Sequence, residues 1–257
     1  MSSRPPVAPK IPQPPPIQPT HDQAVVIYVV LVYTTLIFAV WSVPVVRVII
    51  TPFKLFTIGW HEMCHAVVAI LTGGTILRIT IDPNLGGCTL VEGGHVTAIL
   101  SAGYIGSTLF GGIFILAGWD TLVAKVCSFF IAFGLLCPLV LVRDKLTIVL
   151  TFVYEALLIG FWFIDHASAL RWYCLFVGVM NIFYVVWDIT DDKFYKKRND
   201  SDATQFNLVY PQIHAHVWAV IWIFFEILVL VGFLILGITQ FKETPGQLQA
   251  AQNFLPT

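Results

Sequence analysis

Residues 58–71 read Ile58-Gly-Trp-His-Glu-Met-Cys-His-Ala-Val-Val-Ala-Ile-Leu71, an apolar run interrupted by His61, Glu62 and His65. Two histidines four residues apart lie on one face of a helix. Both imidazoles can then reach one Zn²⁺, and the glutamate beside the first is placed to take a proton from an attacking water. In a chain with 7 His and 15 Asp+Glu among 257 residues, an HExxH pattern arises by chance in roughly half a percent of cases. Two histidines and a carboxylate in a lipid-embedded helix are costly unless a metal, a water cavity or partners compensate them.

The surroundings of this stretch identify its solvent. The chain is 57% hydrophobic and 11% charged, with a mean hydropathy of +0.82, against about 25% charged residues in soluble domains. This excludes a cytosolic soluble enzyme and names the lipid bilayer as the first partner. Lys+Arg 14 against Asp+Glu 15 leaves a net charge of −1, with no overall field to attract nucleic acid.

A bilayer core needs about 20 mainly apolar residues per helix. The sequence offers such runs at 24–42, 45–71, 96–118, 122–142, 146–164, 169–189 and 216–238. Pro52 implies that the second helix starts near Phe53, after an interfacial segment. Trp41, Trp119, Trp162, Trp172, Trp187 and Trp218 fall near span ends, where amphipathic rings favour the interface. Between the second and third runs, Thr75-Ile-Leu-Arg-Ile-Thr-Ile81 alternates with β-branched residues, 82–87 is turn chemistry, and Cys88-Thr-Leu-Val-Glu92 resumes the alternation. The expected fold class is an all-α polytopic membrane protein. It has about six to seven transmembrane helices and a short β-hairpin or re-entrant segment after the HExxH helix. Its parts are a disordered proline-rich tail (1–23), a transmembrane metallopeptidase-like domain (24–240) and a short polar tail (241–257).

The tail has eight prolines within 1–23 and no apolar core of a signal peptide. Its PxxP spacings suit an SH3/WW-type partner, although a solvated linker is the simpler reading. Most of the 14 Lys and Arg fall on one side of the expected topology, which places the N-terminus in the cytosol of a multi-pass integral membrane protein. The odd count of 5 Cys without metal-ligand spacing reads as reduced, buried small hydrophobes. Gly103, Ser107 and Gly111, spaced by four, read as a seam for close helix packing.

A catalytic zinc wants a third protein ligand and an open position. Val68 and Leu71 stand where a metzincin has its glycine and third histidine, and Glu92 lies in strand and turn sequence rather than on a following helix. Asp188, at the end of the sixth span, is a better candidate. His65 lies about six residues, ~9 Å, from its helix end and Asp188 a residue or two from its own, so their depths agree within one or two turns. Asn181, seven residues earlier on the same face, is placed to hold a substrate backbone or to bond a neighbouring helix.

The HExxH is followed by Thr72-Gly73-Gly74, a strand segment with Gly86-Gly87-Cys88-Thr89, and Ala102-Gly103-Tyr104-Ile105-Gly106. Later come Asp188-Ile-Thr-Asp-Asp192 and Ser201-Asp202-Ala203. This ordered set resembles the peptidase M-50-B-like branch of the site-2 protease clan over 58–238. The resemblance implies an integral-membrane zinc metallopeptidase, with His61 and His65 as ligands, Glu62 as general base and Asp188 as third ligand. Well-studied site-2 proteases carry the ligating Asp in a proline-containing Asn…Asp-Gly motif on a broken helix. No proline or glycine separates Asn181 from Asp188 here, which leaves Asp191 and Asp192 as alternative ligands. The longest internal loops, 72–95 and 192–212, leave no room for a PDZ domain.

The expected function is a zinc-dependent intramembrane endopeptidase acting on membrane-protein substrates. A catalytically inactive metal-binding scaffold is the alternative. A transporter using Glu155 and Glu226 ranks last, because no internal repeat is visible. The two glutamates read as structural or proton-holding groups, and His214 and His216 as interfacial.

Overall fold

In the computed structural model of the chain, residues 17–41, 43–82, 86–140, 145–193 and 200–241 are described. The proline motifs of 1–16 and the polar residues of 242–257 lie outside them. Helix α1 (His21–Val40) begins with a capping box: the Thr20 hydroxyl accepts from the Gln23 N–H and the Gln23 side chain accepts from the Thr20 N–H. Such a cap contributes about 1 kcal/mol and starts the helix three residues ahead of the apolar run. A short α2 (Pro44–Ile49) leads into α3 (Thr51–Leu71), with Pro52 in the first turn, where a missing N–H leaves no helical bond unmade.

The hairpin follows α3 as expected. Strands β1 (Thr75–Asp82) and β2 (Gly86–Glu92) pair antiparallel, with Thr75 opposite Glu92 and Ile81 opposite Gly87. Then come α4 (Val96–Leu116), α5 (Thr121–Leu136), α6 (Lys145–Trp162), α7 (Ser168–Ile182), α8 (Tyr184–Lys193), α9 (Asp202–Val209) and α10 (Ala215–Gln240). Among the described residues, five helices are long and apolar enough to cross a membrane: α1, α4, α5 with its 3₁₀ extension, α6 and α10. The α7–α8 pair, bent by 55°, makes a sixth if counted as one span. Helix α3 is not among them, because Lys54, His61, Glu62 and His65 dilute its apolar run. The outer faces of α6 and α10 carry exposed Val149, Phe152, Val220 and Phe224, as expected where lipid replaces water.

Helix α4 is the centre of the bundle, packed on α3, α7 and α10. Gly111 and Gly178 permit the α4–α7 approach. A Cβ on Gly111 would collide with the backbone of Asn181 and Ile182, and one on Gly178 would press on the α4 backbone.

The α7–α8 break needs neither proline nor glycine. Glu226 of α10 inserts its carboxyl there, and Oε1 accepts the Val185 N–H at 2.7 Å. A side chain entering the helical ladder is a recognised cause of sharp kinks. Trp187 secures the bend by donating from Nε1 to the Met180 carbonyl at 2.9 Å. Of the tryptophans near span ends, Trp41, Trp119 and Trp187 are buried against protein, with Trp41 stacked on Trp187. The cysteines are all free, but Cys88 and Cys137 are exposed rather than buried.

Candidate metal centre

One helical turn of α3 places His61 and His65 side by side, both buried, with their Nε2 atoms 2.9 Å apart. The Nδ1 atoms are committed elsewhere. His65 Nδ1 lies 2.7 Å from the Ile99 carbonyl, which can only accept, so Nδ1 carries the ring proton. His61 Nδ1 lies 3.3 Å from the Ser107 hydroxyl, whose own proton goes to the Gly103 carbonyl at 2.8 Å. In this arrangement both Nε2 lone pairs face the same point. Backbone and hydroxyl partners of this kind fix the tautomer and direction of ligating histidines.

The third group at that point is Asp202. Its Oδ2 lies 3.0 Å from His61 Nε2 and 3.2 Å from His65 Nε2, and among the described residues it is buried without a hydrogen-bond donor. Three electron-rich atoms at this distance are suited to sharing one cation. Zinc bonds of about 2.0–2.1 Å in a tetrahedron separate ligand atoms by ~3.3 Å, close to the spacing seen, so the donor set fits a metal ion. Among the described residues, His61, His65 and Asp202 form the cluster able to hold one.

The expected third ligand, Asp188, is therefore replaced by Asp202 in this geometry. The Asp188 Oδ2 instead accepts the Tyr104 hydroxyl at 2.7 Å. The alternatives are also engaged elsewhere. Asp191 receives Lys54 Nζ at 2.9 Å and Trp41 Nε1 at 3.2 Å, and Asp192 accepts from the Ser201 and Thr204 hydroxyls at 2.7 and 2.9 Å. The sixth span is not straight: α7 and α8 meet at 55°, and it is the start of α9 that reaches the two imidazoles. Asn181 is fully buried against α4, and its Nδ2 donates to the Val177 carbonyl of its own helix at 2.8 Å. The Ser201-Asp202-Ala203 segment holds the carboxylate that meets the imidazoles, but nothing in sequence ranked it above its neighbours.

Glu62 points to the same place from the side of the hairpin. Its Oε2 accepts the Thr89 hydroxyl at 2.6 Å. A Cβ on Gly87 would overlap Oε1, so β2 crosses directly over this carboxylate. A cavity of about 420 Å³ opens here, lined by Glu62, His65, the β2 residues 87–90, Ile99 and Asp202 among others. Glu155, His214 and His216 are not among its lining residues. His95 caps α4, its Nδ1 accepting the Ala98 N–H at 3.2 Å.

Gly103 closes the opposite side, and here the small-residue seam does more than let helices meet. A Cβ at this position would overlap both imidazole rings. Overpacking costs about 1–3 kcal/mol, and the atoms that must move are the ligating rings. Gly103→Ala is expected to weaken metal binding about tenfold, measured by chelator competition on the purified protein.

Fold and site together define a polytopic membrane protein with a buried His-Glu-His-Asp centre below a β-hairpin. A family model described as Peptidase M50B-like matches residues 30–233, and the chain belongs to that family. No curated protein and no solved structure matches it.

Proposed function

We propose that the protein is a zinc-dependent intramembrane endopeptidase of the site-2 protease kind, with zinc held by His61, His65 and Asp202. The observation that carries this reading is the meeting of three ligand atoms beside a cavity lined by Glu62 and by residues 87–90 of β2. When bound, zinc polarises a scissile carbonyl and makes water a stronger nucleophile. Glu62 takes the proton of the attacking water and returns it to the leaving amine. The Thr89 hydroxyl holds Oε2 and fixes the carboxylate between the helix and β2.

A peptide bond in a transmembrane helix is shielded by its own hydrogen bonds, so a substrate must be extended before it is cut. Strand β2 pairs with β1 along one edge, and residues 87–90 of β2 line the cavity. An extended substrate segment adds to the other edge as a third strand, within reach of Glu62. The Lys and Arg distribution supports a cytosolic N-terminus, and the substrate class is the single-span membrane protein.

The test is reconstitution of the full chain in liposomes with a panel of single-span substrates. Cleavage is expected to stop on zinc chelation and to return on adding zinc. Cleavage insensitive to chelation overturns the reading, and bound zinc with no cleavage of any substrate supports a metal-binding scaffold instead.

A further inference from the structure

Asp188, Asp191, Asp192 and Asp202 lie within a short stretch, and each meets a different partner. Asp191 ties α8 to Lys54 of α3. Asp192 Oδ2 accepts the Ser201 hydroxyl at 2.7 Å, the Ser201 N–H at 3.3 Å and the Thr204 hydroxyl at 2.9 Å, so the start of α9 is fastened to the end of α8. Asp188 reaches the same helix start by another route. The Tyr104 hydroxyl, fully buried in α4, donates to Asp188 Oδ2 at 2.7 Å and accepts the Ala203 N–H at 3.3 Å.

Ala203 follows Asp202 and lies in the first turn of α9, where backbone N–H groups have no helical acceptor. A phenol has one proton to give. With that proton directed at Asp188, the oxygen lone pairs are left facing Ala203. The Tyr104 ring is fixed independently, packed 5.5 Å from both the His61 and Trp222 rings.

We propose that Asp188 is a positioning residue that acts through Tyr104: it orients the phenol that fastens the first turn of α9, and thereby holds the Asp202 carboxylate against His61 and His65. This rests on the metal centre proposed above. The Asp202 side chain projects from a two-turn helix whose first turn is held to the bundle by these hydrogen bonds. Loosening either attachment lets Oδ2 drift from the point the two Nε2 atoms define. Partners beyond the ligands typically change metal affinity 10- to 100-fold.

The experiment uses the full-length protein in detergent, with zinc affinity read by chelator competition and ligand geometry by the visible absorption of the cobalt-substituted form. Tyr104→Phe keeps the ring and removes the hydroxyl. It is expected to lower zinc affinity about 10- to 100-fold and to alter the cobalt bands, while still binding one metal per chain at saturation. Asp188→Ala is expected to behave alike. Asp188→Asn keeps an oxygen that accepts the phenol proton and is expected to stay near the parent protein.

Parent-like affinity and cobalt bands for Tyr104→Phe, with binding lost in Asp202→Ala, overturn the positioning role and leave the metal centre standing. Unchanged binding in Asp202→Ala overturns the metal centre itself. Loss of binding as complete in Asp188→Asn as in Asp188→Ala makes Asp188 a ligand and also refutes the proposal.

Discussion

Glu62→Gln is expected to reduce cleavage about 10²- to 10⁴-fold, the usual contribution of a positioned general base, while one zinc per chain remains bound. The substitution changes little besides proton affinity. A glutamine amide has the size of the carboxylate, and its oxygen still accepts the Thr89 hydroxyl that now lies 2.6 Å from Oε2. The β2 strand therefore keeps its seat over the helix, and the three ligand atoms are untouched. What the amide cannot do is take a proton from water. Single-turnover cleavage in liposomes, run beside metal analysis of the same preparation, separates the two properties. A variant that keeps more than a tenth of the parent rate removes Glu62 from the role of base.

Asp202→Ala is expected to remove metal binding and, with it, cleavage. The carboxylate supplies the negative charge among the three ligand atoms, and among the described residues its Oδ2 has no hydrogen-bond donor. Removing one member of a buried charged set costs about 3–5 kcal/mol, which corresponds to at least a hundredfold in zinc affinity. Chelator competition reads this directly. Affinity equal to that of the parent would return the ligand role to one of the carboxylates at 188, 191 or 192.

These two substitutions also mark where a reading of the chain alone stops. Glu62 is identifiable from its position within HExxH, because helical periodicity places 61 and 65 on one face and 62 beside it. Asp202 is not. Five carboxylates between 188 and 202 (Asp188, Asp191, Asp192, Asp200 and Asp202) are chemically equivalent in sequence. A straight sixth span makes Asp188 the natural choice, since it then ends at the depth of His65. The helix is not straight, and the cause lies 41 residues away, in the Glu226 carboxyl that takes the Val185 N–H. The Gly103 position behaves in the same way: its spacing with Ser107 and Gly111 announces close packing, but only contact with both imidazoles makes it part of the site.

Taken by itself, the sequence determined the lipid solvent, the mainly helical multi-span architecture, the hairpin between 75 and 92, and the His61-Glu62-His65 face. All four follow from local properties: transfer free energy summed over a run, the period of a helix or strand, and turn chemistry. Tertiary structure decided which carboxylate lies against the two imidazoles, what breaks the α7–α8 span, and what the other acids near it hold. Each of those outcomes depends on a contact between residues far apart in the chain. Such contacts are set by how helices pack and bend, and no local pattern encodes them.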